Sequence, residues 1–270
     1  MILDTLSAAA KARVDKLEKV KNLAAVRAEA EQIHKQAATD RNNPSACRVR
    51  SFLATLQRPG LNLICECKKA SPSKGLISPD FPYLEIAKAY ERGGGAAISV
   101  LTEPEYFLGL DIYLQEIAAQ VNLPVLRKDF TVSPYQIYEA KTLGANAVLL
   151  ICAILSASQL KEYRLAAESI GLDVLVETHD GQEIETALKS GARIIGINNR
   201  NLKDFTVDIS ACLQLRKEIP QDRICIAESG IRNEDDIRSL KVKGFNGVLI
   251  GETLMSSGNP EEMLRRLQEA

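Results

Sequence analysis

Residues 147–177 read AVLLICAILSASQLKEYRLAAESIGLDVLVE. A short apolar run opens the stretch, an amphipathic segment follows and stops at Gly171, and a second β-branched run begins at residue 173. Glycine just past a periodic segment is an ordinary helix stop, so the stretch reads as strand, helix, strand. A helix-length crossover is what two neighbouring parallel strands need.

The same unit recurs in both directions. Strand-like runs fall at 61–67, 96–101, 124–127, 147–151, 173–176, 193–197, 223–227 and 247–250. Their spacing, roughly 20 to 35 residues, is that of a βα unit. Between them lie helix-like segments such as YLEIAKAYERGG, SPYQIYEAKTLGA and GQEIETALKSGA, with further stops at Gly93, Gly144 and Gly191. Eight strands alternating with helices suit a closed parallel (β/α)8 TIM barrel or an open doubly wound sheet. A doubly wound dinucleotide-binding sheet predicts G-x-G-x-x-G after its first strand, and the chain has none. The expected class is therefore α/β, a single barrel over residues 61–270, and 270 residues suffice for it.

Residues 1–60 precede the first run. Leu3, Leu6, Ala10, Val14, Leu17 and Val20 lie near helical spacing, and Asn42-Asn43-Pro44 breaks the pattern before another short helical stretch. About 60 residues bury too little surface for a comfortable independent domain. We expect a helical extension packed on the barrel, over its mouth.

The apolar share of 46% is ordinary for a globular chain, and a net charge of −1 argues against a generic nucleic-acid or anionic-membrane binder. Six cysteines (47, 65, 67, 152, 212 and 225) sit mostly in apolar runs, without the spacing of a zinc site. They read as reduced core residues of a cytoplasmic chain. The opening MILDTLSAAAKARVDKLEKV lacks the apolar segment of a signal peptide, and the longest apolar stretch, 147–155, is too short to span a membrane. Nothing is low-complexity.

Barrel enzymes place their chemistry at the C-terminal ends of the strands. Side chains alternate along a strand, so Glu66 and Lys68 share one face and Cys65 and Cys67 the other. An ionisable pair fits poorly in an apolar barrel–helix layer, so Glu66 and Lys68 are expected inside. Further on, Arg127-Lys128-Asp129, Glu177, Asn198-Asn199-Arg200 and Glu228-Ser229-Gly230 each follow an apolar run. One such end merely emerges into solvent; five, with lysines and glutamates balanced, suit a catalytic funnel. Burial can move a lysine towards neutral pH, which suits acid–base work. The loop Lys69-Ala70-Ser71-Pro72-Ser73-Lys74-Gly75 is basic and hydroxyl-rich, and the last two strands run into Gly230 and Gly251-Glu252. Glycines there let backbone N–H groups approach a phosphate, and these two loops are the recurrent phosphate site of barrels. His179 is expected as a surface loop residue. Mg²⁺ on Glu66, Glu177 and Glu228 is disfavoured by the interleaved lysines.

These strand ends also carry a family resemblance. Glu66-Cys67-Lys68-Lys69-Ala70-Ser71-Pro72-Ser73-Lys74-Gly75 resembles the signature of the indole-3-glycerol phosphate synthases. AISVLTEPEYFLG, VLRKDF, GINNRNL, AESGI and VLIGETLM follow in that family's order, so the likeness spans essentially the whole chain. It implies a (β/α)8 enzyme of tryptophan biosynthesis that converts 1-(2-carboxyphenylamino)-1-deoxyribulose 5-phosphate to indole-3-glycerol phosphate, CO₂ and water, with no cofactor or metal. It implies Lys128 as general acid, Lys68 as carboxylate anchor and acid, and Glu177 as acid/base, with Glu66, Asn198, Glu228 and Ser229 ordering the site. Phe107, Phe130, Leu149 and Leu202 match the family's slot for the anthranilate ring; Ser71 falls in its signature loop. Arg200, Ser229, Gly230, Gly251 and Glu252 match its phosphate side, the last through its backbone N–H. The expected partner is a phosphorylated small molecule, with neither nucleic acid nor membrane, and the chain is expected as a monomer or homodimer. Two other readings remain: a phosphosugar isomerase, which would want a Cys/Asp pair at these ends, and a non-catalytic barrel, which would have lost Lys128 or Glu177.

Overall fold

The computed structural model describes residues 2–40, 50–201 and 205–270. Two long helices, α1 (Ile2–Val20) and α2 (Leu23–Asp40), and the single turn α3 (Phe52–Leu56) precede the barrel. Strand β1 (Asn62–Cys67) is followed by a small hairpin, β2 (Ala70–Ser71) and β3 (Gly75–Leu76), and by helix α4 (Tyr83–Arg92). The chain then alternates β4 (Ala97–Leu101), α5 (Asp111–Gln120), β5 (Val125–Lys128), α6 (Pro134–Thr142), β6 (Ala147–Ile151) and α7 (Ala157–Ser169). It continues with β7 (Asp173–Thr178), α8 (Gly181–Ser190), β8 (Ile194–Asn198), α9 (Ile209–Leu215) and β9 (Ile224–Glu228). Helix α10 (Glu234–Val242), strand β10 (Gly247–Ile250), α11 (Glu252–Met255) and α12 (Pro260–Glu269) complete it. Strands β1, β10, β9, β8, β7, β6, β5 and β4 pair in that order, all parallel, and β4 closes on β1. The (β/α)8 barrel read from the sequence is the fold. No described helix is long and apolar enough to cross a membrane.

Local chemistry places the helix ends. Ser156 and Gln159 form a reciprocal capping box at α7, Asp180 caps α8, and Gly191 ends α8 with φ of 88°. Each cap satisfies backbone groups that the first or last turn leaves unpaired.

The strands divide the core into two layers. Outward residues, Cys65, Cys67, Ile98, Val100, Val148 and Leu150 among them, pack under the helices. The inner layer holds Ile64, Ala97, Leu126, Leu149, Leu175, Ile226 and Leu249. Phe52 and Leu56 of α3 belong to this inner layer and are fully buried. The carboxylate of Asp173, first residue of β7, accepts from the Leu53 N–H (2.9 Å) and Ser51 Oγ (3.1 Å). Helix α3 thereby plugs the end of the barrel where the strands begin.

In α1, Leu6, Ala10 and Val14 are buried as the spacing predicts, but Val20 is 89% exposed: the apolar stripe leaves the barrel one turn before the helix ends. Arg13 of α1 binds Asp129, just past β5, at 2.5 Å. Helix α2 lies along α6, burying Val26 and Ala30. The expected break at residues 42–44 and Cys47 lie outside the described residues; the other five cysteines are buried free thiols.

One premise of the strand-face reading needs correction. Arg127 alternates with Lys128 and so faces the barrel–helix layer, where it is buried against Asp111 (2.8 Å), Glu139 (2.8 Å) and Asp129 (3.6 Å). A charge is tolerated between sheet and helices when it is fully paired. Glu66 and Lys68 nonetheless lie inside, paired with each other.

Phe52 fills the barrel floor far from the polar mouth. Phe52→Ala should destabilise the fold by about 3–5 kcal/mol, the range for truncating a buried aromatic. Urea denaturation of the variant measures it, and loss of under about 1 kcal/mol would mean that the floor is not closed by α3.

Candidate active site

The mouth of the barrel is lined by Glu66, Lys68, Lys128, Glu177, Asn198, Glu228 and Ser229, with Ser71, Phe107, Phe130, Leu149, Arg200, Gly230, Gly251 and Glu252 around them. Every site residue expected from the sequence lines this one cavity except Leu202, which lies outside the described residues. The parallel register explains the convergence: Ser99 pairs with Glu66, Lys128 with Leu101, Gly196 with Glu177, and Glu228 with Asn198. Side chains at those registered positions point to the same side of the sheet, into the barrel.

Charge pairing organises the floor of the cavity. Lys68 Nζ lies 2.6 Å from Glu66 Oε1, and Lys128 Nζ lies 3.4 Å from Glu177 Oε2. Burial alone would lower Lys128, but the carboxylates of Glu177, Glu228 and Glu66 outweigh it and hold the ammonium above the usual lysine range. The expected drift of a buried lysine towards neutral pH is thus reversed here. Burial would raise Glu177, yet Lys128, His179 and the Asn198 amide keep it below the usual carboxylate range. Asn198 Oδ1 accepts the Arg200 N–H at 3.0 Å, which leaves the amide Nδ2 as the donor to Glu177. Glu228 goes the other way: burial first, then the neighbouring Glu177 and Glu66, push it well above the carboxylate range, against the pull of Lys128. Glu177 and Glu228 therefore titrate as a coupled pair, in which Glu228 is driven up and Glu177 down.

Two glycines make room for these carboxylates. A Cβ on Gly196 would overlap Glu228 Oε1, and one on Gly251 would lie 2.5 Å from Glu66 Oε1. Gly251, expected to let backbone approach a phosphate, also leaves space for Glu66, and Gly196, which no local pattern marks, does the same for Glu228. Past β9, Ser229 and Gly230 both have positive φ, 65° and 82°, and Asn199 Nδ2 ties down the Ser229 carbonyl at 3.0 Å. A serine in the left-handed region is uncommon and costs energy, a feature of functional turns.

One wall is apolar. The rings of Phe107 and Phe130 lie 6.1 Å apart, with Leu149, Ile151 and Leu249 beside them. Ile2, Leu3 and Leu6 of α1 line the same cavity, which only the folded chain reveals. The opposite edge is basic and hydroxyl-rich: Arg200 Nη1 donates to Ser73 Oγ (3.2 Å), and Glu252 bridges Lys74 (2.9 Å) and Arg200 (4.0 Å). His179, expected on the surface, instead turns its Nε2 to within 3.4 Å of Glu177 Oε1. Its backbone N–H and its Nδ1 both engage Glu183 of α8, which swings the ring inward. Among the described residues no cluster of His, Cys, Asp and Glu has the arrangement of a metal site.

The chain is similar to known proteins along its whole length. Residues 4–267 match the family model described as indole-3-glycerol phosphate synthase. The chain is 52% identical to the indole-3-glycerol phosphate synthase of Endomicrobium trichonymphae over 269 residues, covering 100% of each chain. It is 50% identical to that of Ruminiclostridium cellulolyticum over 268 residues, covering 99% of each. Among solved structures, KGPDC from Streptococcus mutans superposes with a TM-score of 0.60 at 13% identity, over 77% of this chain and 96% of that one. The tryptophan synthase a2b2 complex from Pyrococcus furiosus gives 0.58 at 14% identity, over 77% and 98%. These two likenesses concern the barrel alone. With a whole-length family match and relatives at half identity, the chain belongs to the indole-3-glycerol phosphate synthase family, carboxy-lyases of tryptophan biosynthesis.

Proposed function

We propose that the mouth residues divide the family's ring closure, decarboxylation and dehydration as follows. The substrate's phosphate sits at the Arg200, Ser229, Gly230 and Gly251 edge, with the N–H of Glu252 turned to it, and its anthranilate ring lies against Phe107, Phe130 and Leu149. Leu202 belongs to the same slot in this reading. Lys68 anchors the ring carboxylate beside the Ser71 loop. As the carboxylate-bearing ring carbon attacks the sugar carbonyl, Lys128 gives its proton to the developing alkoxide, a charge that a preorganised ammonium stabilises strongly. The carboxylate then leaves as CO₂, and its electron pair restores the aromatic ring.

Dehydration completes the indole. Lys68 protonates the departing hydroxyl, while Glu177, held ionised, takes a proton from the adjacent CH₂. One proton is consumed per turnover, because a carboxylate leaves as neutral CO₂: Glu177 returns its proton to Lys128 across their contact, and Lys68 regains its own from solvent. Glu66 orients Lys68, Asn198 orients Glu177, and protonated Glu228 stands behind Glu177. The observation that carries this reading is the Lys128–Glu177 pair, 3.4 Å apart and driven in opposite directions, the lysine up and the carboxylate down. Acid and base assignments follow from such divergent neighbours.

We further propose that residues 1–60 are an extension of the barrel whose first helix completes the ring slot, supported by Ile2, Leu3 and Leu6 in its lining. The chain acts as a monomer or homodimer in the cytoplasm, a compartment that suits its free, buried thiols.

Lys128→Met should keep the circular dichroism of the parent and lower kcat by at least about 10²-fold, the usual scale for a general acid. Indole fluorescence follows turnover directly, and a near-normal rate would remove Lys128 from the chemistry. Exhaustive EDTA treatment should leave turnover intact; activity lost and then restored by Mg²⁺ would reassign the glutamates as metal ligands. The phosphate edge is best tested at Arg200, since any side chain at Gly251 also displaces Glu66. Arg200→Met should weaken competitive inhibition by inorganic phosphate by roughly tenfold, equivalent to about 1.4 kcal/mol. Unaltered inhibition would put the phosphate elsewhere.

A further inference from the structure

His179, half-buried behind Glu177, is a titratable group that the reaction scheme leaves without a task. Its ring is clamped on one side: Glu183 Oε2 accepts the His179 backbone N–H at 2.8 Å and meets Nδ1 at 3.1 Å. Glu183 belongs to the first turn of α8, which Asp180 fixes by accepting the Glu183 N–H at 2.9 Å. A carboxylate at Nδ1 selects the tautomer with hydrogen there and leaves Nε2 to face inward. That Nε2 is buried without a hydrogen-bond partner, and the nearest acceptor is Glu177 Oε1 at 3.4 Å. The other oxygen of the same carboxylate, Oε2, faces Lys128.

We propose that His179 is a positioning residue for Glu177: clamped by Glu183, its imidazolium holds the carboxylate ionised and aimed from the side opposite Lys128. The inference rests on the acid–base role proposed above for Glu177. Around the ring, Glu177 comes from its own strand, Glu183 from α8 and Lys128 from β5, while Cys152, in the short turn after β6, stands behind Glu183 with its thiol on the Glu183 carbonyl. Burial and Lys128 disfavour the charged ring, and the two glutamates outweigh them, so His179 titrates above its ordinary value. The protonated ring is thus present across the acid side of the pH range, where Glu177 must stay ionised to accept a proton. A merely structural histidine would leave the titration of Glu177 unchanged.

The pH profile of kcat is the direct test. His179→Asn keeps an amide on Glu183 but removes the charge at Nε2. Without that charge Glu177 gains a proton more readily, so its acid limb should move to higher pH. The maximal kcat should fall roughly 10- to 100-fold, the cost of a carboxylate misplaced by about 1 Å, with KM little changed. His179→Gln, whose amide reaches the Nε2 position, should recover part of kcat but not the acid limb. A second readout needs no turnover. The chain has two histidines, and the other, His34, is on α2. Imidazole NMR can therefore follow His179 alone, which should titrate above its ordinary value in the parent and lower in Glu177→Gln. An unmoved acid limb in an active His179→Asn, or a His179 titration indifferent to Glu177→Gln, overturns the proposal. Near-normal turnover by Glu177→Gln would instead sink the acid–base role of Glu177 itself, so the two failures are told apart.

Discussion

Two lysines set among three glutamates inside a barrel are the constraint around which the rest of this molecule is arranged. Removing an ion from water costs several kcal/mol even after the surroundings relax, and only close partners offset it. The floor of the mouth meets that cost by pairing Lys68 with Glu66 and Lys128 with Glu177, and by driving Glu228 towards its neutral form. The pairs also prepare the chemistry. An ammonium held charged and a carboxylate held ionised, 3.4 Å apart, are ready to give and take protons with little reorganisation.

Stability and chemistry occupy opposite ends of the strands. At the floor, α3 closes the barrel with Phe52 and Leu56 and is itself fixed by Asp173. At the mouth, the strained turn at Ser229 and the orphaned oxygen of Glu228 are costs without a structural return. Such costs persist only where the surrounding fold over-determines the conformation. Here the paired strands do so, since Glu228 is held between β8 and β10 by ladder hydrogen bonds.

Outside the barrel, α1 links the two themes. Its apolar stripe enters the slot through Leu3 and Leu6, and Arg13 reaches Asp129, the residue between Lys128 and Phe130. Asp129 also accepts from Thr102 and approaches Arg127, so a buried ionic cluster in the barrel–helix layer steadies the end of β5. The position of Lys128 is therefore supported from inside by carboxylates and from outside by this cluster.

Local patterning in the sequence determined the eight strands, their helices, the barrel and the inward placement of Glu66 and Lys68, because alternation and periodicity are properties of neighbours along the chain. The signature from Glu66 to Gly75 and the polar strand ends likewise exposed the family and the charged residues that line the mouth. Tertiary structure alone decided that Glu177 is driven down and Glu228 up, that Lys128 is held charged and not driven towards neutrality, and that His179 turns inward. It also gave Gly196 and Gly251 their work as space for Glu228 and Glu66, and left Val20 in solvent. Proton affinity and free volume are sums over whatever surrounds a group. In a closed barrel those surroundings arrive from strands far apart in sequence, at a register that no local pattern encodes.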